Sequence, residues 1–112
     1  MSEADIFERT KRLHEQCTAD ILELINPITE RHANPANVSY TFDKTSKLVQ
    51  LPEEKIPFDT IVAYLTSGKA DTVRLGFEFP SFGHRIGTVA LRYDGTKITA
   101  EYDALTQELL EK

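Results

Sequence analysis

Thr72-Val73-Arg74-Leu75-Gly76-Phe77-Glu78-Phe79-Pro80-Ser81-Phe82-Gly83-His84-Arg85-Ile86-Gly87-Thr88-Val89-Ala90-Leu91-Arg92-Tyr93-Asp94-Gly95-Thr96-Lys97-Ile98-Thr99-Ala100-Glu101-Tyr102 is the run that decides the fold. It reads as three antiparallel strands joined by two turns. In the first strand Val73, Leu75, Phe77 and Phe79 alternate with Thr72, Arg74, Gly76 and Glu78, the period-two pattern of a half-buried strand. A four-residue first turn would set Leu75 opposite Thr88 and split the apolar face. A three-residue turn, Ser81-Phe82-Gly83, sets Leu75 opposite Val89 and Val73 opposite Leu91. It also gives Gly83 the left-handed position such turns need. A slip of one residue turns every side chain over, so the three-residue turn is preferred.

Asp94-Gly95 between two alternating runs predicts a two-residue hairpin turn. That turn pairs Tyr93 with Thr96, Leu91 with Ile98, Val89 with Ala100 and Gly87 with Tyr102. Phe77 and Tyr102 then flank Gly87 and fill the space the glycine leaves.

Outward from this run, residues 2 to about 26 carry Ile6, Thr10, Leu13, Cys17, Ile21, Leu24 and Ile28 at helical spacing, widened by Phe7, Leu22 and Ile25. Glu8, Lys11, Arg12, Glu15 and Glu23 form the opposite face. Ser2 with Asp5 resembles a capping box. Asn26-Pro27 predicts a break with a short continuation to about Arg31. His32 to Asn37 reads as a loop. Val38, Tyr40 and Phe42 alternate as a strand, and Lys47 to Leu51 returns with Tyr40 opposite Val49 and Val38 opposite Leu51. Phe58, Ile61, Val62 and Leu65 follow helical spacing, with Gly68 at the C-terminal cap. Asp103 can cap a last helix anchored by Leu105 and Leu109. The order α-β-β-α-β-β-β-α predicts a single α+β domain over residues 1–112. About five antiparallel strands form its sheet, with the long N-terminal helix packed on one face.

The 112 residues carry a net charge of −5, with 40% apolar and 28% charged side chains, ordinary values for a globular domain. The first 36 residues hold seven acidic and four basic side chains, so the negative surplus lies mainly there. That balance argues against a general nucleic-acid binder, which needs a basic footprint. No apolar run reaches the ~18 residues of a membrane helix. A single cysteine rules out an internal disulfide, and the acidic N-terminus has no signal-peptide core; a cytoplasmic location is expected.

His14 and Cys17, one helical turn apart, have the residue types of half a metal site or of a nucleophile-base pair. Two ligands are not a site, and Cys17 falls on the apolar stripe, where a free cysteine packs as a small hydrophobe. His32 and His84 lie in predicted turns and read as exposed. Glu53-Glu54, and Glu101 with Asp103, are neighbouring carboxylates without the contrasting environments that acid-base work needs. The five scattered glycines make no phosphate-cradling loop. Phe77 and Phe79 read as core, not as base-stacking aromatics. No metal, cofactor or catalytic residue is predicted.

The outward face of the three strands is more informative. Its predicted rows are Thr72–Arg92–Lys97, Arg74–Ala90–Thr99, Gly76–Thr88–Glu101 and Glu78–Ile86–Asp103. One end is basic, the other acidic, and the middle small and flat. Arg74, Thr88, Ala90, Arg92, Lys97, Thr99 and Glu101 are therefore the expected partner-binding residues, on a platform whose split charge would fix orientation. The first expectation is a non-catalytic protein-binding module: a small acidic inhibitor, immunity protein, chaperone or adaptor. It would dock another protein by this face or by the acidic N-terminal helix, with a homodimer as a further possibility. The alternative is a small-molecule binder or enzyme with a pocket between the first helix and the sheet, with Arg85 as the anchor for an anionic group and Arg85 or Tyr40 pointing inward.

Overall fold

The computed structural model describes residues 3–42, 45–50 and 56–111. Along the chain come α1 (Glu3–Thr29), β1 (Asn34–Phe42), β2 (Thr45–Gln50), α2 (Phe58–Thr66), β3 (Thr72–Phe79), β4 (Arg85–Tyr93), β5 (Ile98–Tyr102) and α3 (Ala104–Leu110). The class is α+β, in the element order expected. The sheet runs β2-β1-β3-β4-β5 with every neighbouring pair antiparallel.

The alternation of β3 sets the two faces. Val73, Leu75, Phe77 and Phe79 are buried with Val38 and Tyr40 of β1 and Val89 and Leu91 of β4. Against them pack Cys17, Ile21, Ile25 and Ile28 of α1, Ile61, Val62 and Leu65 of α2, and Leu109 of α3. All three helices thus serve one core on one face of the sheet. Tyr40, Phe42 and Tyr64 close one end, with ring centroids 5.2–6.2 Å apart.

The β3–β4 register is the one read from the sequence: Val73 opposite Leu91 and Leu75 opposite Val89. Its connection is a 3-10 turn, Pro80–Phe82, followed by Gly83 at φ 75 and His84 at φ 58. Gly68, just beyond α2, also has positive φ, as a C-terminal cap requires. Asp103 caps α3, accepting from the Thr106 N–H at 2.8 Å.

Several expectations are corrected. In the β4–β5 hairpin Leu91 faces Ala100 and Val89 faces Tyr102, two residues from the predicted register. Asp94 causes the shift: its Oδ1 accepts from the backbone N–H groups of Thr96 and Lys97, both at 2.9 Å, and from the Thr96 hydroxyl at 2.8 Å. This opens the turn to four residues, closed by Asp94 N–H donating to the Lys97 carbonyl at 3.1 Å. Tyr102 is therefore not beside Gly87. Thr106 and the Phe79 ring occupy that space instead.

In the first hairpin Val38 faces Val49 and Tyr40 faces Lys47, again two residues from the prediction. β1 begins at Asn34 rather than Val38, and its pairing with β3 is bulged between Pro35 and Asn37, which accommodates a proline in a paired strand. Helix α1 does not break at Asn26-Pro27. Pro27 falls in the last turn, and Asn26 C=O still accepts from Glu30 N–H at 2.9 Å. The apolar stripe is buried only from Cys17 onward; Ile6 and Phe7 are 54% and 70% exposed, because residues 5–12 lie clear of the core. Leu22, at 45%, also faces outward. The Ser2 capping box, the Leu51 pairing and the Glu53-Glu54 pair lie outside the described residues.

Candidate protein-docking face

The face of the sheet opposite the helices carries Asn37, Ser39 and Thr41 of β1, then Thr72, Arg74, Gly76 and Glu78 of β3. Ile86, Thr88, Ala90 and Arg92 of β4 and Thr99 and Glu101 of β5 continue it. The observed register arranges them as Thr41–Thr72–Arg92–Thr99, Ser39–Arg74–Ala90–Glu101 and Asn37–Gly76–Thr88, with Asp103 continuing the last row. The Asp103 N–H donates to the Thr88 carbonyl, and the Thr88 hydroxyl donates to Asp103 Oδ2, both at 3.1 Å.

A shallow depression of about 330 Å³ lies on this face, lined by Arg74, Thr88, Ala90, Arg92, Glu101 and Asp103. Its floor is flat because the residues there are small. Asn37 lies so close over Gly76 that a side chain there would collide with it. Arg92 Nε donates to the Thr72 hydroxyl at 3.3 Å and Arg74 Nη1 to the Thr41 hydroxyl at 3.4 Å, two long bonds to neutral groups. Among the described residues neither arginine has a carboxylate within 4 Å, although Glu101 and Asp103 line the same depression. Both guanidiniums are thus drawn toward β1 and β3, and the two carboxylates stay on the β5 side.

Five of the seven predicted platform residues, Arg74, Thr88, Ala90, Arg92 and Glu101, meet in this depression. Thr99 sits beside Arg92 in the next row. Lys97 does not join them. The two-residue shift carries it into the turn, where it lines a separate groove along the α1 side of β5. Asp103 is the residue the sequence reading placed too far along. Burial alone would raise its pKa, but bonds from the Thr106 hydroxyl and N–H and from the Thr88 N–H and hydroxyl hold it below the usual carboxylate range.

The residues named for a pocket under α1 do not converge. Arg85 is exposed at the start of β4, and Tyr40 is 7% exposed inside the aromatic cluster. Burial and the neighbouring Tyr64 push the Tyr40 phenol up. The Tyr102 hydroxyl, also pushed up by burial, donates to the Leu24 carbonyl at 2.6 Å and ties α1 to β5.

His14 does acquire a partner, from a distance that spacing does not show. Its Nε2 lies 2.8 Å from Asp59 Oδ1 on α2. An imidazole held by a carboxylate is the base-and-orienter half of a nucleophilic site. The third member is missing, because Cys17 is fully buried and burial, with Asp20 nearby, raises its pKa. His84 Nδ1 lies 2.6 Å from Glu78 Oε1 on the exposed β3–β4 turn, and His32 is exposed at φ 58. Among the described residues no three His, Cys, Asp or Glu side chains converge on a cation position. No described helix is long and apolar enough to cross a membrane.

Comparison of the chain with known protein families, with curated proteins and with solved structures finds no match, so the reading of function rests on the geometry of this face.

Proposed function

We propose that the chain is a non-catalytic protein-binding module, of the inhibitor, immunity-protein, chaperone or adaptor kind, whose open sheet face docks an acidic segment of another protein. One observation carries the reading: Arg74 and Arg92 stand side by side on a flat floor around Ala90, held among the described residues by threonine hydroxyls alone. A guanidinium so held keeps donors for a carboxylate, which it binds bidentately and more strongly than a neutral acceptor. Glu101 and Asp103 on the far side would repel a misplaced acid and accept a basic residue, which fixes the orientation of the partner. A cytoplasmic setting belongs to the same proposal, because a lone thiol stays reduced there. A small-molecule pocket beneath α1 has less support, since large side chains of both layers fill that space.

The experiment is affinity capture of the partner from the native host, followed by binding measurements with two charge reversals. Arg92→Glu weakens the complex by on the order of tenfold, mainly through slower association, and the loss shrinks in high salt. Glu8→Arg, on the exposed part of α1, leaves binding unchanged. Equal binding by the two variants removes the sheet face from consideration and transfers attention to α1.

A further inference from the structure

β5 is an edge of the sheet. Its ladder with β4 is framed by Asp94 N–H donating to Lys97 C=O and Asp103 N–H donating to Thr88 C=O, both at 3.1 Å. Bonded and non-bonded pairs alternate along an antiparallel ladder. Thr99 and Glu101 therefore turn their backbone groups toward β4, while Ile98, Ala100 and Tyr102 turn theirs outward. Two of the outward groups are satisfied within the chain. Ile98 N–H donates to Asp20 Oδ2 at 3.2 Å, and Tyr102 C=O accepts from Gln107 Nε2 at 2.9 Å. Among the described residues nothing bonds the others: Ile98 C=O, Ala100 N–H and C=O, and Tyr102 N–H. They run along a groove of about 510 Å³ between β5 and the Asp20–Leu24 turn of α1.

We propose that this edge is covered by β5 of a second copy of the chain, paired antiparallel about a twofold axis at Ala100. Such an isologous contact must be self-complementary, and this one is. Ala100 faces Ala100 of the second copy and exchanges both its bonds. The open Ile98 carbonyl faces the open Tyr102 N–H, and Ile98 N–H faces Tyr102 C=O, so the Asp20 and Gln107 side chains turn aside there as the second strand docks. A shift of two residues either way sets an open group against an occupied one, at Ile98 N–H or at Tyr102 C=O. Charge selects the same arrangement. Lys97 lies at one end of the strand and Asp103 just past the other, so the twofold brings each Lys97 opposite Asp103 of the other copy. The result is one continuous sheet, with the helices of both copies on the same side and both open faces on the other. The partner-docking face is left free.

The test is sedimentation of the purified chain with no other protein present. The unmodified chain shows a concentration-dependent monomer-dimer equilibrium. Ala100→Pro removes the central donor, and an edge strand tolerates proline where its N–H points to solvent. This variant therefore folds, by circular dichroism, and sediments as a monomer. Lys97→Glu, a change in an exposed turn, weakens the dimer on the order of tenfold at low salt and less at high salt. Ala100→Cys joins two copies covalently on oxidation, because bonded-pair α-carbons lie ~5.5 Å apart, within disulfide reach. A chain that stays monomeric at high micromolar concentration overturns the proposal. A dimer that survives both Ala100→Pro and Lys97→Glu overturns it as well, as does an Ala100→Cys variant that dimerises without cross-linking. Self-association is read without the docking partner, so its failure and that of the docking face are separate results.

Discussion

Thr106 of α3 stands over the α-carbon of Gly87 in β4: a Cβ added at residue 87 would run into the Thr106 hydroxyl and come within 3.1 Å of the Phe79 ring. Thr106 is fully buried, and its hydroxyl donates to the Thr88 carbonyl at 3.3 Å. The last helix is seated on the sheet by the absence of a side chain beneath it.

Gly87→Ala is therefore expected to destabilise the fold by ~1–3 kcal/mol through overpacking. Thr106→Ala in the same background should recover part of that loss. A urea double-mutant cycle measures the coupling, expected at ~0.5–3 kcal/mol for side chains in contact. Strict additivity would show that Gly87 is needed for some other reason.

Asp94 predicts an acid limb. Bonds from the Lys97 N–H, the Thr96 N–H and the Thr96 hydroxyl lower its pKa from 3.8 to about 2. The folded carboxyl thus holds its proton less tightly than the unfolded one. Its contribution to stability is complete above about 3.8 and is lost as pH falls toward about 2. Asp94→Ala should flatten the fall in the denaturant midpoint across that window, leaving the part due to Asp103. Parallel acid limbs in variant and parent would contradict the turn geometry.

Cys17 should behave as a core residue. It is fully buried, and its raised pKa keeps the reactive thiolate scarce. A thiol-reactive dye is expected to label the native protein slowly, at a rate that climbs with urea. Cys17→Ser should cost ~1–3 kcal/mol, the penalty for burying a hydroxyl without a partner. Rapid stoichiometric labelling of the native state would place the thiol at the surface.

The errors in register share one physical origin. A slip of one residue exchanges the faces of a strand, so the β3–β4 pairing could be read from Val73, Leu75 and Phe77 alone. A slip of two keeps every apolar residue inside, and both wrong hairpins, β1–β2 and β4–β5, are wrong by two. Only the side-chain chemistry of the turn separates those registers. In Asp94-Gly95 the carboxylate bonds outweighed the dipeptide preference. That shift also decided the site, moving Lys97 off the platform and bringing Asp103 onto it.

Helix α1 shows a second limit. Its period identified the buried face correctly at Cys17, Ile21, Ile25 and Ile28, but a period does not reveal where the opposing layer ends, and Ile6 and Phe7 lie beyond it. The His14–Asp59 contact joins residues 45 apart, and no local pattern encodes it.

The clasp between α1 and the end of the chain has a consequence for biosynthesis. Asp20 meets Ile98, Leu24 meets Tyr102, and Arg31 donates to the carbonyls of Leu109 and Leu110, links that each span 78 or 79 residues. Helix α1 thus leaves the ribosome well before the segments that clasp it. At 5–20 residues per second that interval is on the order of 4–15 s. Through it Cys17, Ile21, Ile25 and Ile28 stand in water without their sheet, an apolar helical stripe of the kind a nascent-chain chaperone binds.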